Sequence, residues 1–285
     1  MAVAVKSNEC YRASEAVNWS TLKFMRLSPL HYLWAAKNVR EDTPRLGLGR
    51  AVHTAVLEPD DFPLSYAVFD GKQRRGKEWE AFKAANENKT IVKRSEYARA
   101  LKIRDAILSH PVASCHLRAG GHVERAIRWT DEATGVECKG RPDLENEFVI
   151  DIKTCQSVEE RRFASLAARM GYFNQLAFYR SGIATLTGVV KPCVIVAAEI
   201  EPPHDVGVFV IDEDSLGVAE EENARLLARV AECRASGEWP GRYQEQRSLS
   251  LPAWMWSDED RELTARVIDD DDDSIAQAPE EMDDG

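Results

Sequence analysis

The sequence predicts an α/β or α+β fold, a β-sheet covered by helices. Three observations lead there. Short apolar, β-branched runs read as strands at Phe148–Ile152, KPCVIVAAEIE (Lys191–Glu201) and GVFVI (Gly207–Ile211). Helical periodicities precede, separate and follow them, in the order helices, three strands, helix, two strands, helix. The chain has 285 residues, 44% apolar and 30% charged, enough for a full core in one large domain, with or without additions. No G-x-G-x-x-G follows a first strand, which excludes a doubly wound dinucleotide fold. The phosphate-loop pattern and the G-x-S-x-G elbow are absent too, which excludes ATP hydrolysis at a P-loop and serine-hydrolase chemistry of that type.

In chain order, Asn18 or Ser20 caps a first helix through Lys23 and Phe24. SPLHYLWAAK opens a second with Pro29 in its first turn. Leu22, Met25, Leu30, Leu33 and Trp34 form one apolar stripe, read as core packing; His31 and Trp34 receive no functional role. After Pro44, Gly47 and Gly49, the segment Arg50–Leu57 reads as a helix. Ala51 and Ala55, and Val52 and Val56, fall at i,i+4. His53 beside that small-residue face is either an ordinary core or surface histidine or one projecting across a gap to a ligand. Lys72, Arg74, Arg75 and Lys77, with Gly71, Gly76 and then Trp79, suit phosphate contact plus one stacking aromatic. They suit equally a solvated loop leading into a helix Lys77–Asn86.

Ile91–Ser109 reads as one helix ended by His110–Pro111. His122–Trp129 reads as a strand on which Glu124, Ala126 and Arg128 share a face, with a hairpin turn at Asp131–Gly135. Glu124 then either looks toward Asp143 or pairs with Arg128 on an exposed face. Ser157–Ala168 starts a helix, and MGYFNQLAFYRSG is another, stopped by Gly182. On it Tyr172, Gln175 and Tyr179 share one face, to contact a phosphate backbone or to hold the strand behind. Asp214 caps a long helix, Leu216–Arg234.

The chemistry concentrates in Val136–Thr154. A strand over Val136–Gly140, a polar turn at Glu145–Asn146–Glu147 and the Phe148–Ile152 strand can bring Asp143 alongside Asp151. Side chains alternate along a strand, so Asp151 and Lys153 point one way while Ile152 packs the other. Two converging carboxylates need a divalent metal, a shared proton or a neighbouring cation. The alternative is a surface hairpin with solvated charges. The apolar neighbours in VIDIKT favour a carboxylate at the rim of a core.

The formal net charge is -11. Between Ser257 and Gly285 lie 13 acidic and 2 basic residues, and the remaining 35 acids and 35 bases cancel. Residues 1–246 therefore read as one neutral domain. Residues 247–285 read as an aromatic linker (Trp254, Trp256) and a disordered acidic tail, which maintains solubility, shields a basic groove or recruits a partner. Cys10, Cys115, Cys138, Cys155, Cys193 and Cys233 show no C-x-x-C pairing, predicting reduced cytosolic thiols rather than zinc or disulfides. The opening MAVAVKSNECYR predicts no signal peptide, and no apolar run has membrane-spanning length. A soluble, intracellular protein is expected.

Asp143 followed by Asp151-x-Lys153, written RPD…DIK, resembles the PD-(D/E)xK nuclease signature. The segments SxL…SPxHYxxA, GxAVHTAVLEP, GRPD…VIDIKT and YxxQLAFY occur in the order found in the RecB-like branch. Within it, the chain resembles the RecE-type (exonuclease VIII) nuclease domain of phages and prophages, over roughly Tyr11 to Tyr179. The resemblance implies a restriction-endonuclease-like core, a central mixed β-sheet flanked by helices, with an N-terminal helical part. It implies that His53, Asp143, Asp151 and the Ile152 carbonyl bind Mg²⁺, or Mn²⁺ as a substitute, and that Lys153 is catalytic. Glu124 matches an acidic position with a less defined catalytic role. Gln175 and Tyr179 match a Q-x-x-x-Y helix that helps place DNA, and Arg141 belongs to the GRPD segment as a phosphate contact. With Tyr172, Arg74, Arg75 and Lys77 they form the expected DNA-binding set. The spaced cysteines of iron–sulfur relatives are missing, so no such cluster is expected. Some relatives carry Glu where Asp151 stands; the shorter side chain keeps the charge.

The implied activity is a metal-dependent exonuclease on linear double-stranded DNA, 5'-to-3', leaving 3' overhangs for recombination. A structure-specific or nicking endonuclease and a non-catalytic DNA- or partner-binding module are the alternatives. The resemblance also implies a ring-shaped homo-oligomer, a single-strand annealing partner, no membrane association, and the cytoplasm of a bacterial or phage-infected cell.

Overall fold

The computed structural model describes residues 14–38, 44–71 and 73–252. The chain divides into two compact units, residues 1–242 and 243–285. In the second unit Arg247 lies over the Tyr243 ring; Trp254, Trp256 and the acidic tail lie outside the described residues, as does Cys10.

Asn18 accepts the Thr21 N–H and caps α1 (Trp19–Leu22), which runs into a 3-10 turn at Lys23–Arg26. Ser28 caps α2 (Pro29–Lys37). The predicted stripe crosses this break and fails there. Leu22 and Met25 are buried, but Leu30 and Trp34 are 52% and 64% exposed, and Tyr32 and Ala35 take the inner face. The turn resets the helical phase, so a periodicity read straight through it points the wrong way.

Helix α3 (Pro44–Leu57) begins earlier than expected and contains Gly47 and Gly49. Its Ala51, Val52, Ala55 and Val56 are buried as the spacing predicts. A short helix α4 (Phe62–Ser65) leads into β1 (Tyr66–Phe69), and α5 (Lys77–Ala85) into β2 (Thr90–Lys93). β1 and β2 pair in parallel. The expected helix Ile91–Ser109 is therefore strand β2 followed by α6 (Arg94–Ser109). Ladder pairing to β1 claims the β-branched Ile91 and Val92. His110 caps a further helix, α7 (Pro111–Arg118).

The predicted strand His122–Trp129 is broken at Glu124, where φ is 44°. Its halves become β3 (His122–Val123) and β4 (Ile127–Thr130), serving different sheets. β4 pairs with β5 (Glu137–Gly140), and β3 with β6 (Leu144–Glu145). Glu145 is thus a buried strand residue rather than part of the turn, ion-paired with Arg125 and Lys191. β7 (Val149–Cys155) is followed by α8 (Glu160–Met170), α9 (Tyr172–Thr187), β8 (Cys193–Glu199), β9 (Val206–Val210) and α10 (Glu213–Ser236). Asp212, not Asp214, caps α10 by accepting the Ser215 N–H.

The main sheet has five strands in the order β3-β6-β7-β8-β9. β7 and β8 are parallel, joined across α8 and α9, and the other pairs are antiparallel. This is the expected mixed sheet flanked by helices, with a helical N-terminal region, consistent with a restriction-endonuclease-like core. Val149, Cys155, Cys193, Ile195 and Ala197 face one core with Leu176, Phe178 and Val230. Ile150, Ile152, Val194, Val196 and Ala198 face the other with Val52, Ala55, Ile103 and Ile107. Each fully buried Ile or Val contributes about 1.5–3 kcal/mol, so both cores help hold β7 between the two helical covers. Among the described residues no helix is long and apolar enough to cross a membrane.

Gly182 does not stop α9. A Cβ there would lie 2.6 Å from the Trp129 ring, so the glycine admits the indole. Gly182→Ala should destabilise the chain by about 1–3 kcal/mol through overpacking, read as a lower denaturation midpoint with unchanged slope.

Candidate metal centre

The centre forms where β7 lacks a neighbour. β6 reaches only Leu144↔Ile150 and Glu145↔Val149, so β7 beyond Ile150 has a free edge on that side. Asp143, one residue before β6, fills part of it: its Oδ2 accepts the Ile152 N–H at 2.7 Å. The N–H and C=O of one strand residue point to the same side, so the Ile152 carbonyl also opens toward Asp143.

Helix α3 presents His53 from beside its buried face, with Nδ1 3.3 Å from Asp143 Oδ2. The bend at Glu124 supplies a third candidate ligand, a second carboxylate. Its backbone N–H donates to the Asp143 carbonyl at 2.9 Å, and its carboxylate is 3.1 Å from Arg141 Nη2. One donor atom each from His53, Glu124 and Asp143 lie within 4.8 Å of one another. Glu124 therefore looks toward Asp143, and Arg128 turns instead to Ser14 and Glu137.

On the opposite face of β7, Asp151 and Lys153 point together toward α9. Lys153 Nζ is 2.5 Å from Asp151 Oδ2 and donates to Gln175 Oε1 at 3.2 Å. Gln175 Nε2 lies 3.2 Å from Asp151 Oδ1 and 3.1 Å from the Tyr179 hydroxyl. The ammonium also sits over the Tyr172 ring, 4.8 Å from its centroid. The helix face Tyr172–Gln175–Tyr179 thus holds the carboxylate and lysine from behind. Gly140 lets α9 come this close, since a Cβ there would meet the Tyr179 ring at 2.8 Å.

Burial opposes the charged forms of Asp151, Asp143, His53 and Lys153, and partners outweigh it at all of these but Asp151. Asp151 is 1% exposed; desolvation pushes its carboxyl up to about 6 despite Lys153. Burial also opposes the Asp143 charge, but His53, Lys153 and the Ile152 N–H outweigh it and hold that carboxyl below its usual range. For His53 and Lys153 burial favours the neutral forms, yet the neighbouring acids win and raise both. Asp151 Oδ2 is buried against the Lys153 ammonium, which gives it both charge and a hydrogen bond. An imidazole, two carboxylates and an outward carbonyl meeting at an open strand edge suit a hard divalent cation.

Of the residues singled out in the sequence, His53, Asp143 and the Ile152 peptide meet at the centre, joined by Glu124. Asp151, expected among the same ligands, is engaged by Lys153 and Gln175 and falls outside the three-residue group. Arg74 is spent near β2, bonded to the Ile91 carbonyl, 3.6 Å from Glu96 and over the Trp79 ring. Arg75 bonds Gln73, and Lys77 starts α5. Trp79 is half-buried, in a T-shaped contact with Phe69 at 5.0 Å between ring centroids and with the Arg74 guanidinium over its ring at 5.7 Å. Glu58, which received no role from sequence, ends the α3 segment with its carboxyl pKa raised by burial, Glu124 and Asp61; its only signal was an acid just beyond the His53 helix.

Residues 18–249 match the PDDEXK-like domain of unknown function, DUF3799. No curated protein matches the chain. Among solved structures, a candidate exonuclease from Eubacterium rectale is similar at a TM-score of 0.58 and 16% identity, covering 87% of this chain and 93% of that one. At that identity the likeness carries the fold alone.

The folded chain keeps the Asp151 proton to about pH 6 against an ordinary value of 3.8. Its folded pKa is raised, so this carboxyl favours the folded state at low pH, and that contribution is lost as pH rises through about 6. In EDTA, thermal melts should fall between about pH 4 and 6, the window between the ordinary and the raised value, and Asp151→Asn should flatten that slope. Mn²⁺ should raise the melting temperature more at pH 7 than at pH 5, because a cation competes with the protons of its ligands.

Proposed function

The chain belongs to the PDDEXK-like family, and on that premise we propose that it is a divalent-metal-dependent deoxyribonuclease, an exonuclease acting on linear duplex DNA. The observation that carries this is the meeting of His53, Glu124, Asp143 and the Ile152 peptide at the open edge of β7, with Lys153 fixed one strand residue beyond. On this reading His53, Asp143 and the Ile152 carbonyl would hold Mg²⁺, or Mn²⁺ in its place, with Glu124 completing the set; the family resemblance adds Asp151 to it.

A bound divalent cation supplies Lewis-acid polarisation of the scissile phosphate and a more acidic coordinated water. The protein's own groups do the rest. Lys153 stays protonated, since Asp151 and Asp143 outweigh its burial, so it acts as a fixed positive donor rather than a general base. It orients the attacking water or offsets charge developing on phosphorus. Asp151, Gln175 and the Tyr172 ring restrict the ammonium to one direction, and Tyr179 steadies Gln175. Arg141 is the nearest candidate for a backbone phosphate. Arg74, Arg75 and Lys77 supply weaker, more distant attraction for a polyanion.

The order of sequence segments supports the RecE-type reading: 5'-to-3' digestion leaving 3' overhangs, ring-shaped assembly and a single-strand annealing partner in a bacterial or phage-infected cytoplasm. Linear and closed-circular duplexes incubated with Mg²⁺ test it. Stepwise loss of the linear substrate from its 5' ends is expected, with circles intact. Nicked circles would reassign the chain as an endonuclease, and retention without cleavage as a binding module. Lys153→Ala should lower hydrolysis about 10²–10³-fold while leaving DNA affinity within about 3-fold; unchanged hydrolysis rejects the assigned chemistry.

A further inference from the structure

The open edge of β7 runs on past the metal centre. Val149 donates its N–H to the Pro192 carbonyl, and the Cys155 carbonyl accepts the Ile200 N–H, so the odd-numbered peptide groups face β8. The even-numbered ones face the other way: Ile150 pairs with Leu144 of β6, and Ile152 donates to Asp143. Thr154 follows on that side, beyond the end of β6. Its N–H stands about 6.7 Å further along the edge than the Ile152 N–H, with the Ile152 carbonyl between them. Its side chain lies on the face of β7 that α3 crosses at Gly49, where a Cβ would be 3.7 Å from Thr154 Oγ1. The residue is half-buried. Among the described residues, neither its N–H nor its hydroxyl has a hydrogen-bond partner. Two neutral donors left together at a partly buried edge need an acceptor. Backbone N–H groups and threonine hydroxyls are ordinary contacts of phosphate oxygens.

We propose that Thr154 is a phosphate-binding residue: its backbone N–H and its hydroxyl donate to a DNA phosphate lying along the open edge of β7, beside the Ile152 carbonyl. The contact rests on the nuclease reading and adds to it the group that fixes the phosphate at the centre. Because both donors are neutral, the phosphate is oriented without any further charge entering the cluster of His53, Glu124 and Asp143.

Amide NMR of threonine-labelled protein reads the backbone donor directly, with a short linear duplex as probe in Ca²⁺; the resonance lost in Thr154→Ser identifies the Thr154 signal. Addition of the duplex should move that amide proton downfield, as a hydrogen bond to an ionised oxygen does. The hydroxyl is tested by substitution. Thr154→Val should bind the duplex about 3- to 10-fold more weakly by anisotropy and cut it about 10-fold more slowly in Mg²⁺, and Thr154→Ser should restore both. An unmoved Thr154 amide in the bound complex overturns the proposal, as does a Thr154→Val variant that binds and cuts like wild type. A loss that Thr154→Ser fails to restore marks a packing role and overturns it too. The amide readout uses the unaltered chain, so it decides the matter even where Thr154→Val does not fold. A wild type that neither binds nor cuts DNA in any cation rejects the nuclease reading itself. One that does both while the Thr154 amide stays unmoved rejects only the phosphate contact.

Discussion

One hydrogen bond organises the centre: the Ile152 N–H to the Asp143 carboxylate at the free edge of β7. A buried strand cannot leave its peptide groups unpaired without losing roughly 1–3 kcal/mol each. β6 is too short to pair them, so a side chain does part of the work of a missing strand. That substitution anchors a carboxylate beside an outward-facing carbonyl. His53 and Glu124 then gather on Asp143, one through its imidazole and one through its backbone. The site is the sheet's own unfinished ladder, completed by acids.

The two faces of β7 divide the labour. The even-numbered Ile150 and Ile152 anchor the strand in the core beneath α3, while Asp151 and Lys153 meet α9. Burial alone would push Asp143, Asp151, His53 and Lys153 toward their neutral forms. What keeps charge in the centre is reciprocity, since each acid has a cationic neighbour and each cation an acid. Lys153 and Arg141 each pair with a carboxylate, and His53 leans on a third. Asp143, held ionised in this way, is ready for a stronger competitor of the same sign as its partners.

How much of this was legible in the sequence depends on the kind of signal. The alternation in VIDIKT identified which way Asp151 and Lys153 point, because period two is dictated by strand geometry alone. The face Tyr172–Gln175–Tyr179 was equally readable, as was the inward set of α3. Glu124 was harder. Its segment alternates like a strand, yet the backbone breaks at a positive φ that no glycine or asparagine announces. Gly182 misled in the opposite sense, reading as a stop although its lack of a side chain serves the Trp129 ring. Strand β2 hid inside a helical pattern because only its partner β1, absent from any local window, makes Ile91 and Val92 extended. Local chemistry was visible, and pairing between distant segments was not.

The centre draws on α3, the Glu124 bend and the β6–β7 hairpin, parts of the chain far apart in sequence. The hairpin closes locally and fast, whereas bringing His53 to it requires the long loop through β1, β2 and α6 to be closed first. A nascent or partly unfolded chain can thus own the acidic hairpin while lacking its imidazole. The candidate cluster of His53, Glu124 and Asp143 is complete only once that long-range contact has formed, so it is a property of the closed fold rather than of the motif.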